Sequence, residues 1–366
     1  MTEGTDEDRG ADTDAGDDAD ADGSPYGDVD AALDEAFPGR TVESVTTVHA
    51  GNRKRTVVAR FGDGRAPATA VVQTAPAGSG LRTEAALARS VAARTDVPVP
   101  EVLGGGVVPG HGRAFVVTEH AAGEDLHARF VALAPARRTA VAREFGRYLA
   151  GLHAAFAFEG YGPVGLRGPA GWEAVLDDPD PGSALAVGGR RETTGGIPEA
   201  SDDWADWFLR YATAGVDALP AGFDDLRPRL RAELADERPR LPASPPSTLY
   251  PWDLRPGNAL VDDGRVTAVV DWGQPLAADP ALSLAKVEHL VCDWYLDDDG
   301  SLATAVRAGY RERRPLPSVP SVYRLAAVVR SAVDGAGVVT RPRYPEVDGD
   351  DAVAFHRERI RAVLDG

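Results

Sequence analysis

Apolar residues follow two regimes along the chain. From Val42 to Glu119 they come in short β-branched runs, Val42 to Val48, Thr56 to Phe61 and Ala68 to Thr74, with Gly51-Asn52 and Gly62-Asp63-Gly64 between them. Val97-Pro98-Val99-Pro100 with Val102-Leu103, and then Ala114 to Glu119, supply two more. Short runs bounded by Gly, Asn and Asp predict strands joined by tight turns, here an antiparallel sheet. Two helices accompany it: a short one from Val29 to Phe37, stopped by Pro38-Gly39, and a longer one from about Leu81 to Arg94.

Beyond Glu119 the period lengthens. Val141, Phe145, Leu149, Leu152 and Phe156 recur at helical spacing within Pro135 to Phe156, and Trp204, Trp207, Phe208 and Tyr211 repeat the pattern. Both stripes predict helices that face a core. Further helices are expected at 226–241, 283–296, 301–313, 319–333 and 350–364. Gly160 to Pro198 is rich in Gly, Pro and Asp without a period and reads as a long loop. One β-rich stretch interrupts the helices, Leu249 to Gly273. It reads as a short strand, a loop, a hairpin turned by Asp262-Asp263-Gly264, and a strand ending at Asp271.

Composition narrows the classes. A chain of 366 residues can form a single two-lobed unit. Of its net charge of −18 most lies in the first 35 residues, which hold 14 acidic side chains and one arginine. Residues 1–25 contain almost nothing apolar and predict a disordered acidic tail. Asp18 to Gly23 imitates the opening of a calcium loop, but Val29 occupies the twelfth position, where a bidentate Glu is required. The nearly balanced remainder lacks a basic patch with interleaved aromatics, which argues against nucleic-acid binding. The one cysteine, Cys292, permits no intrachain disulfide, and no run of about 18 apolar residues occurs, so a soluble cytoplasmic protein without a membrane partner is expected. Among 39 basic residues only Lys54 and Lys286 are lysines. Abundant Asp, Ala and Arg with almost no Lys resembles the proteins of salt-adapted archaea.

The chemistry is concentrated in the β-rich stretch. Its hairpin folds Asn258 and Asp271 back toward each other beside Asp253. Three oxygen-bearing side chains in that arrangement suit phosphoryl transfer from a nucleotide, which needs hard oxygen ligands for Mg²⁺ and a carboxylate to orient the attacking hydroxyl. Turn formation alone explains any one of these residues. It does not explain Asn five residues after Asp together with an Asp-Trp-Gly at the end of the next strand pair.

With these residues the chain resembles the aminoglycoside phosphotransferase family, the small-molecule branch of the protein kinase-like fold that includes choline kinase-like enzymes. The family loop runs His-Gly-Asp-Leu-x-x-x-Asn; here it is Pro251-Trp252-Asp253-Leu254 through Asn258, followed by Asp271-Trp272-Gly273. Gly123-Glu124-Asp125-Leu126, Leu152-His153 and Asp279-Pro280-Ala281-Leu282-Ser283-Leu284-Ala285 extend the likeness over about residues 40–310. The resemblance implies an α+β, bilobal protein kinase-like fold. Its small antiparallel N-lobe would span 26–119 and its mainly helical C-lobe 120–366. It implies transfer of the γ-phosphate of ATP or GTP to a hydroxyl of a small molecule, such as a sugar, aminoglycoside or amino alcohol, by a monomer or homodimer. Asp253 would be the catalytic base with Arg255 beside it, and Asn258 and Asp271 would hold Mg²⁺. Gly51, Asn52 and Lys54 would cover the nucleotide phosphates, and Glu119 would begin the hinge that meets the adenine.

Three departures stand out. Pro251 replaces the loop His and Ser283 replaces a second Asp. The third matters more: Gln73 stands where the family's third strand carries its phosphate-binding Lys or Arg, so Glu84, the helix acid that normally pairs with it, is expected to lose its partner. Lys54, Arg55, Arg60 and Arg255 are the bases that could substitute. The alternative function is therefore a catalytically impaired kinase-like protein that binds nucleotide or ligand without transfer. Asp293 and Asp297 could draw a cationic acceptor, or form only a solvated face.

Overall fold

The computed structural model describes residues 26–48, 54–168, 171–189, 196–297, 300–341 and 349–366. The expected acidic tail lies outside them. Helix α1 (Gly27–Ala36) precedes strands β1 (Val42–Val48), β2 (Arg55–Phe61) and β3 (Thr69–Pro76). Helix α2 (Leu81–Arg94) follows, then β4 (Val102–Val108) and β5 (Arg113–Glu119). The five strands form one antiparallel sheet in the order β1-β2-β3-β5-β4.

Strand alternation gives this sheet two different faces. Val57, Ala59, Ala70 and Val72 point one way and are buried against Val29, Ala32 and Leu33 of α1. Asp28 ties the helix down. Its carboxylate lies 2.6 Å from Arg55, 2.8 Å from Arg113 and 2.6 Å from the Thr74 hydroxyl. The other face carries Thr56 opposite Gln73 and Gln73 opposite Val116, and looks toward α2 and the catalytic stretch.

The rest of the chain is mainly helical. The two-residue strand β6 (Glu124–Asp125) and the short α3 (Leu126–Arg129) lead into α4 (Pro135–Ala155), then β7 (Gly162–Leu166), α5 (Trp172–Leu176), β8 (Leu185–Val187), α6 (Trp204–Ala218) and α7 (Arg227–Glu237). The catalytic stretch contains β9 (Thr248–Tyr250), β10 (Ala259–Asp262) and β11 (Arg265–Val269). It is followed by β12 (Leu276–Ala278), α8 (Pro280–Glu288), α9 (Ser301–Arg311), α10 (Ser321–Val329) and α11 (Gly349–Asp365). The aromatic stripe of α6 lies in the core as expected, Trp204, Trp207, Phe208 and Tyr211 being fully buried. Helices α4 and α9 cross at two glycines. A Cβ on Gly146 would collide with the Val306 carbonyl, and one on Gly309 with that of Arg143.

Two expectations need correction. The segment 160–198 is not simply a loop: β7 pairs with β8 and β12, and β12 with β9, giving a four-stranded sheet β8-β7-β12-β9. All five residues of Gly162–Leu166 are buried, and a strand covered on both faces leaves no alternation to read. The helix expected from 283 begins earlier, at Pro280, where the Asp279 carboxylate caps it by accepting the Ala281 N–H at 2.8 Å. It then widens into a π turn over His289–Asp293. No helix among the described residues is long and apolar enough to cross a membrane.

Candidate active site

The catalytic loop hangs from β9, which the pairing Leu276↔Tyr250 and Ala278↔Thr248 holds in the second sheet. The chain turns at Asp253 and winds through a short helical turn, Pro256–Asn258. Asn258 closes the loop on itself: its Nδ2 donates to the Asp253 carbonyl at 2.9 Å, and its backbone N–H to the Arg255 carbonyl at 3.0 Å. With the amide nitrogen spent there, Oδ1 is the end left for a ligand. The hairpin then places Ala259 opposite Val269, and the Val270 N–H donates to the Asn258 carbonyl at 2.9 Å. The next residue is Asp271, with a φ of 60°. A left-handed backbone at a residue other than glycine costs free energy and is found where the surroundings impose it.

Arg255 folds back along the same loop. Its Nε lies 3.9 Å from an Asp253 oxygen and its guanidinium 5.4 Å from the centre of the Trp294 ring. A Cβ on Gly257 would collide with that guanidinium, so the glycine is what lets the arginine lie flat. Burial alone would make Arg255 easier to deprotonate, but Asp253, Tyr295 and Asp271 outweigh it and hold the charge.

Across the cleft the missing lysine reappears from another strand. Lys54, just before β2, places its Nζ 2.6 Å from both Glu84 oxygens and 3.0 Å from Asp271 Oδ1. Glu84 therefore keeps a partner, which corrects the expectation drawn from Gln73. The reason is geometric: positions 54, 56 and 73 share the sheet face above α2, so a lysine one strand over reaches the same carboxylate. Gln73 itself points its amide at the Thr56 hydroxyl, 3.5 Å away. Burial works to depress the Lys54 ammonium, but Glu84 and Asp271 more than compensate and raise its pKa. Asp271 shows the converse: burial would raise its carboxyl, and Lys54 and Arg255 together hold it below the usual carboxylate range. Half of the Asp271 side chain remains exposed, open to a ligand.

The other residues singled out in the sequence fall as follows. Gly51 and Asn52 lie outside the described residues. Glu119 ends β5 with its side chain exposed and its N–H donated to the Glu101 carbonyl at 2.8 Å, so that N–H is not available to a base. Arg55 is committed to Asp28. His153 accepts or donates to Tyr310 at 2.8 Å and Ser283 at 2.7 Å, and burial lowers its pKa to about 3. It is a neutral tie between α4, α8 and α9. Asp293 is already matched by His289 at 2.8 Å and Arg359 at 3.6 Å, and Asp297 by Arg359 at 3.6 Å. Asp293 is therefore engaged by its neighbours, while Asp297 is almost fully exposed, a solvated surface acid.

Sequence reasoning missed Lys286 and Arg330. Lys286 is buried, hydrogen-bonded to Ser331 Oγ at 2.6 Å, and 5.3 Å from the Trp252 ring centre. Arg330 lies 4.7 Å from the ring centre of Tyr211 and 5.6 Å from that of Trp252, the neighbour of Asp253. A signal was there: the chain has two lysines, and both converge on this cleft.

A cation carried on the sheet, shared between a helix carboxylate and a strand-end carboxylate above an Asp–Asn loop, is how kinase-like phosphotransferases prepare a nucleotide site. Fold and site place the protein in that class. The chain belongs to the phosphotransferase enzyme family (APH), which it matches over residues 44–319, and it is a small-molecule phosphotransferase. Among solved structures it is similar to a thermostable mutant of aminoglycoside phosphotransferase APH(4)-Ia in ternary complex with AMP-PNP and hygromycin B. That match has 19% identity, covers 92% of this chain and 97% of the other, and has a TM-score of 0.60. It is also similar to APH(2")-IIia in complex with GDP and kanamycin, with 14% identity, 91% and 97% coverage and a TM-score of 0.54. A third likeness is to the macrolide 2'-phosphotransferase MphH from Brachybacterium faecium, with 22% identity, 92% and 98% coverage and a TM-score of 0.50. At such identities the likeness establishes the fold alone. A comparison with curated protein sequences finds no significant match.

Proposed function

We propose that the protein transfers the γ-phosphate of ATP or GTP to a hydroxyl of a small molecule, with Asp253 as the base and Lys54 in the role of the absent strand-three lysine. The observation that carries this reading is the Lys54–Glu84–Asp271 network. It shares one half-buried cation between two carboxylates, an arrangement of little structural value and of use to a triphosphate. It also answers one of the two motives for an impaired enzyme, the lack of charge at Gln73, the other being Pro251 in place of the loop His.

Asn258 Oδ1 and the exposed side of Asp271 fit Mg²⁺. Among the described residues no group of three or more His, Cys, Asp and Glu is placed for a metal. Mg²⁺ nevertheless commonly takes only one or two protein carboxylates and completes its octahedron with phosphate and water oxygens. When bound it would neutralise charge on the β- and γ-phosphates. Lys54 would hold the phosphates from above and Arg255 would stabilise charge near the transferring group. Asp253 would orient the acceptor hydroxyl and take its proton as the oxygen–phosphorus bond forms and the bond to the β-phosphate bridging oxygen breaks. Residues 26–119 would cover the nucleotide and 120–366 the acceptor. The cytoplasm of a salt-adapted host is the setting that the acidic, lysine-poor composition favours.

The test is a pair of variants. Asp253→Asn should lose turnover by about a thousandfold or more while nucleotide still binds in calorimetry. Asp271→Ala should lose the Mg²⁺-dependent part of nucleotide binding. Full activity in Asp253→Asn would remove Asp253 from the mechanism.

A further inference from the structure

The chemistry around Asp253 on the side away from Lys54 is basic and aromatic. Asp253 follows Trp252, whose ring has Lys286 Nζ at 5.3 Å and the Arg330 guanidinium at 5.6 Å from its centre. Arg330 sits at the end of α10, half-buried, and reaches across to α6, where it also lies 4.7 Å from the Tyr211 ring centre. Its one hydrogen bond to a backbone group goes to the Gly196 carbonyl at 3.2 Å, and its Nε is buried without a hydrogen-bond partner. Lys286 reaches the Arg330 carbonyl at 3.3 Å and Ser331 Oγ at 2.6 Å, both neutral groups.

Neither cation has a carboxylate at ion-pairing distance among the described residues. Asp253, the nearest acid in the sequence of the loop, is approached by Arg255 at 3.9 Å. Several arginines of this chain are matched with acids, Asp217 with Arg231, Asp206 with Arg210, Glu288 with Arg307 and Arg324, while others such as Arg89, Arg138 and Arg314 donate to backbone carbonyls. Asp253 is the acid that favours the charge on Lys286, yet no carboxylate of the described residues lies at ion-pairing distance of either side chain, and a poorly solvated charge without a close counter-charge costs stability. The cost is offset if a ligand brings the counter-charge. Arg is suited to planar, bidentate recognition of carboxylate or phosphate, and half-buried Trp252 beside Asp253 offers apolar surface for the carbon skeleton that carries it.

Resting on the phosphotransferase reading above, we infer that the acceptor is an anion, a hydroxyl compound bearing a carboxylate or phosphate that Arg330 binds and Lys286 supports from beneath, its hydroxyl directed to Asp253. A polycationic amino sugar is then the wrong charge for this site. Arg330 and Lys286 set specificity and take no part in the transfer itself.

The experiment is a charge-matched acceptor series at fixed Mg²⁺ and ATP: glucose, glucosamine, gluconate and glucose 6-phosphate, with glycerol, serinol, glycerate and glycerol 3-phosphate as the shorter set. ADP release and the phosphorus NMR of the product report transfer. Calorimetry with the same eight compounds in the presence of Mg²⁺ and ADP reports binding without turnover. The expected result is that an anionic member is used or bound at least about tenfold better than its neutral and amino counterparts. In Arg330→Gln its KM or Kd should rise by about tenfold to a hundredfold, with kcat and the KM for ATP little changed. The gluconate and glycerate arms against the two phosphate arms identify which anion is meant. Preference for glucose, glycerol or an amine, or an anion effect that survives Arg330→Gln, overturns the inference and leaves phosphotransfer standing. So does an absence of anion binding while nucleotide binds. Anion binding lost in Arg330→Gln, with no compound phosphorylated, keeps the anion site and brings down the transfer reading instead.

Discussion

Replacing Lys54 with Met removes the cation that the start of β2 brings to Glu84 and Asp271. At 2.6 Å and an effective dielectric of about 20, the attraction between Lys54 and Glu84 is about 6 kcal/mol, and desolvation of the two groups takes back most of it. The side chains are 19% and 11% exposed, so screening by solvent is limited and truncation should cost about 2 kcal/mol of stability. The catalytic cost is separate. Losing a preorganised donor to the developing phosphate charge should lower kcat/KM by about a hundredfold to a thousandfold, with weaker nucleotide binding. The informative step is the double variant Lys54→Met with Gln73→Lys. Position 73 faces 56 across the β2–β3 ladder on the same side of the sheet, so a lysine there can reach Glu84, and at least tenfold of the lost activity should return. Both steps are read by calorimetric titration of nucleotide and by steady-state turnover of one acceptor. If Lys54→Met binds and turns over nucleotide like the original protein, Lys54 is not the functional substitute for the absent strand-three lysine.

Three further outcomes follow from the fold. Gly309→Ala should destabilise the protein by about 1–3 kcal/mol, because its Cβ meets the Arg143 carbonyl and α4 and α9 must separate; an unchanged urea midpoint would contradict that crossing. His153 and His356 are buried with pKa values near 3. Below pH 6.5 the unfolded chain takes up protons that the folded one refuses, and stability should fall by about 1.4 kcal/mol per pH unit for each, down toward pH 3. A flat stability curve from pH 7 to 5 would be inconsistent with neutral buried imidazoles. Burial, resisted by Asp253 and reinforced by Arg330 and Arg255, lowers the Lys286 pKa to about 7. Between that value and the unfolded one the unfolded state holds the extra proton, so this group makes stability rise from pH 7 toward pH 10; Lys286→Met should remove that rise and stabilise the protein near neutrality, as urea unfolding at pH 7 and 9 would show.

Much of the fold could be read in advance because the relevant signals are local. The Val- and Thr-rich runs of β1 to β3, the aromatic spacing of α6 and the Asp-Asp-Gly hairpin each declare themselves within a dozen residues. Asp253, Asn258 and Asp271 were legible for the same reason, since one hairpin brings them together. What escaped depends on contacts between distant segments. Gly162–Leu166 gave no period because it is covered on both faces. Glu84 looked abandoned because sequence order suggests β3 as its source of charge, whereas a sheet face is shared by neighbouring strands and Lys54 enters from the side. Lys286 and Arg330 meet Trp252 only after three helices have folded around it, and nothing within a dozen residues of any of them says so.

The scarcity of lysine gives the cleft an unplanned handle. Apart from the amino terminus, the only primary amines in the protein are Lys54 and Lys286, one on each side of the catalytic loop. The first is partly accessible but held as an ammonium by two carboxylates; the second titrates near neutrality but is sealed beneath Trp252. An acylating reagent therefore meets one poorly nucleophilic amine and one shielded one. Any ligand that displaces Glu84 from Lys54 or covers Trp252 should alter the number of labels added. Counting labels by intact mass would then follow occupancy of both halves of the cleft without an engineered reporter, and attaching the protein to a surface through its lysines would block the site it was meant to display.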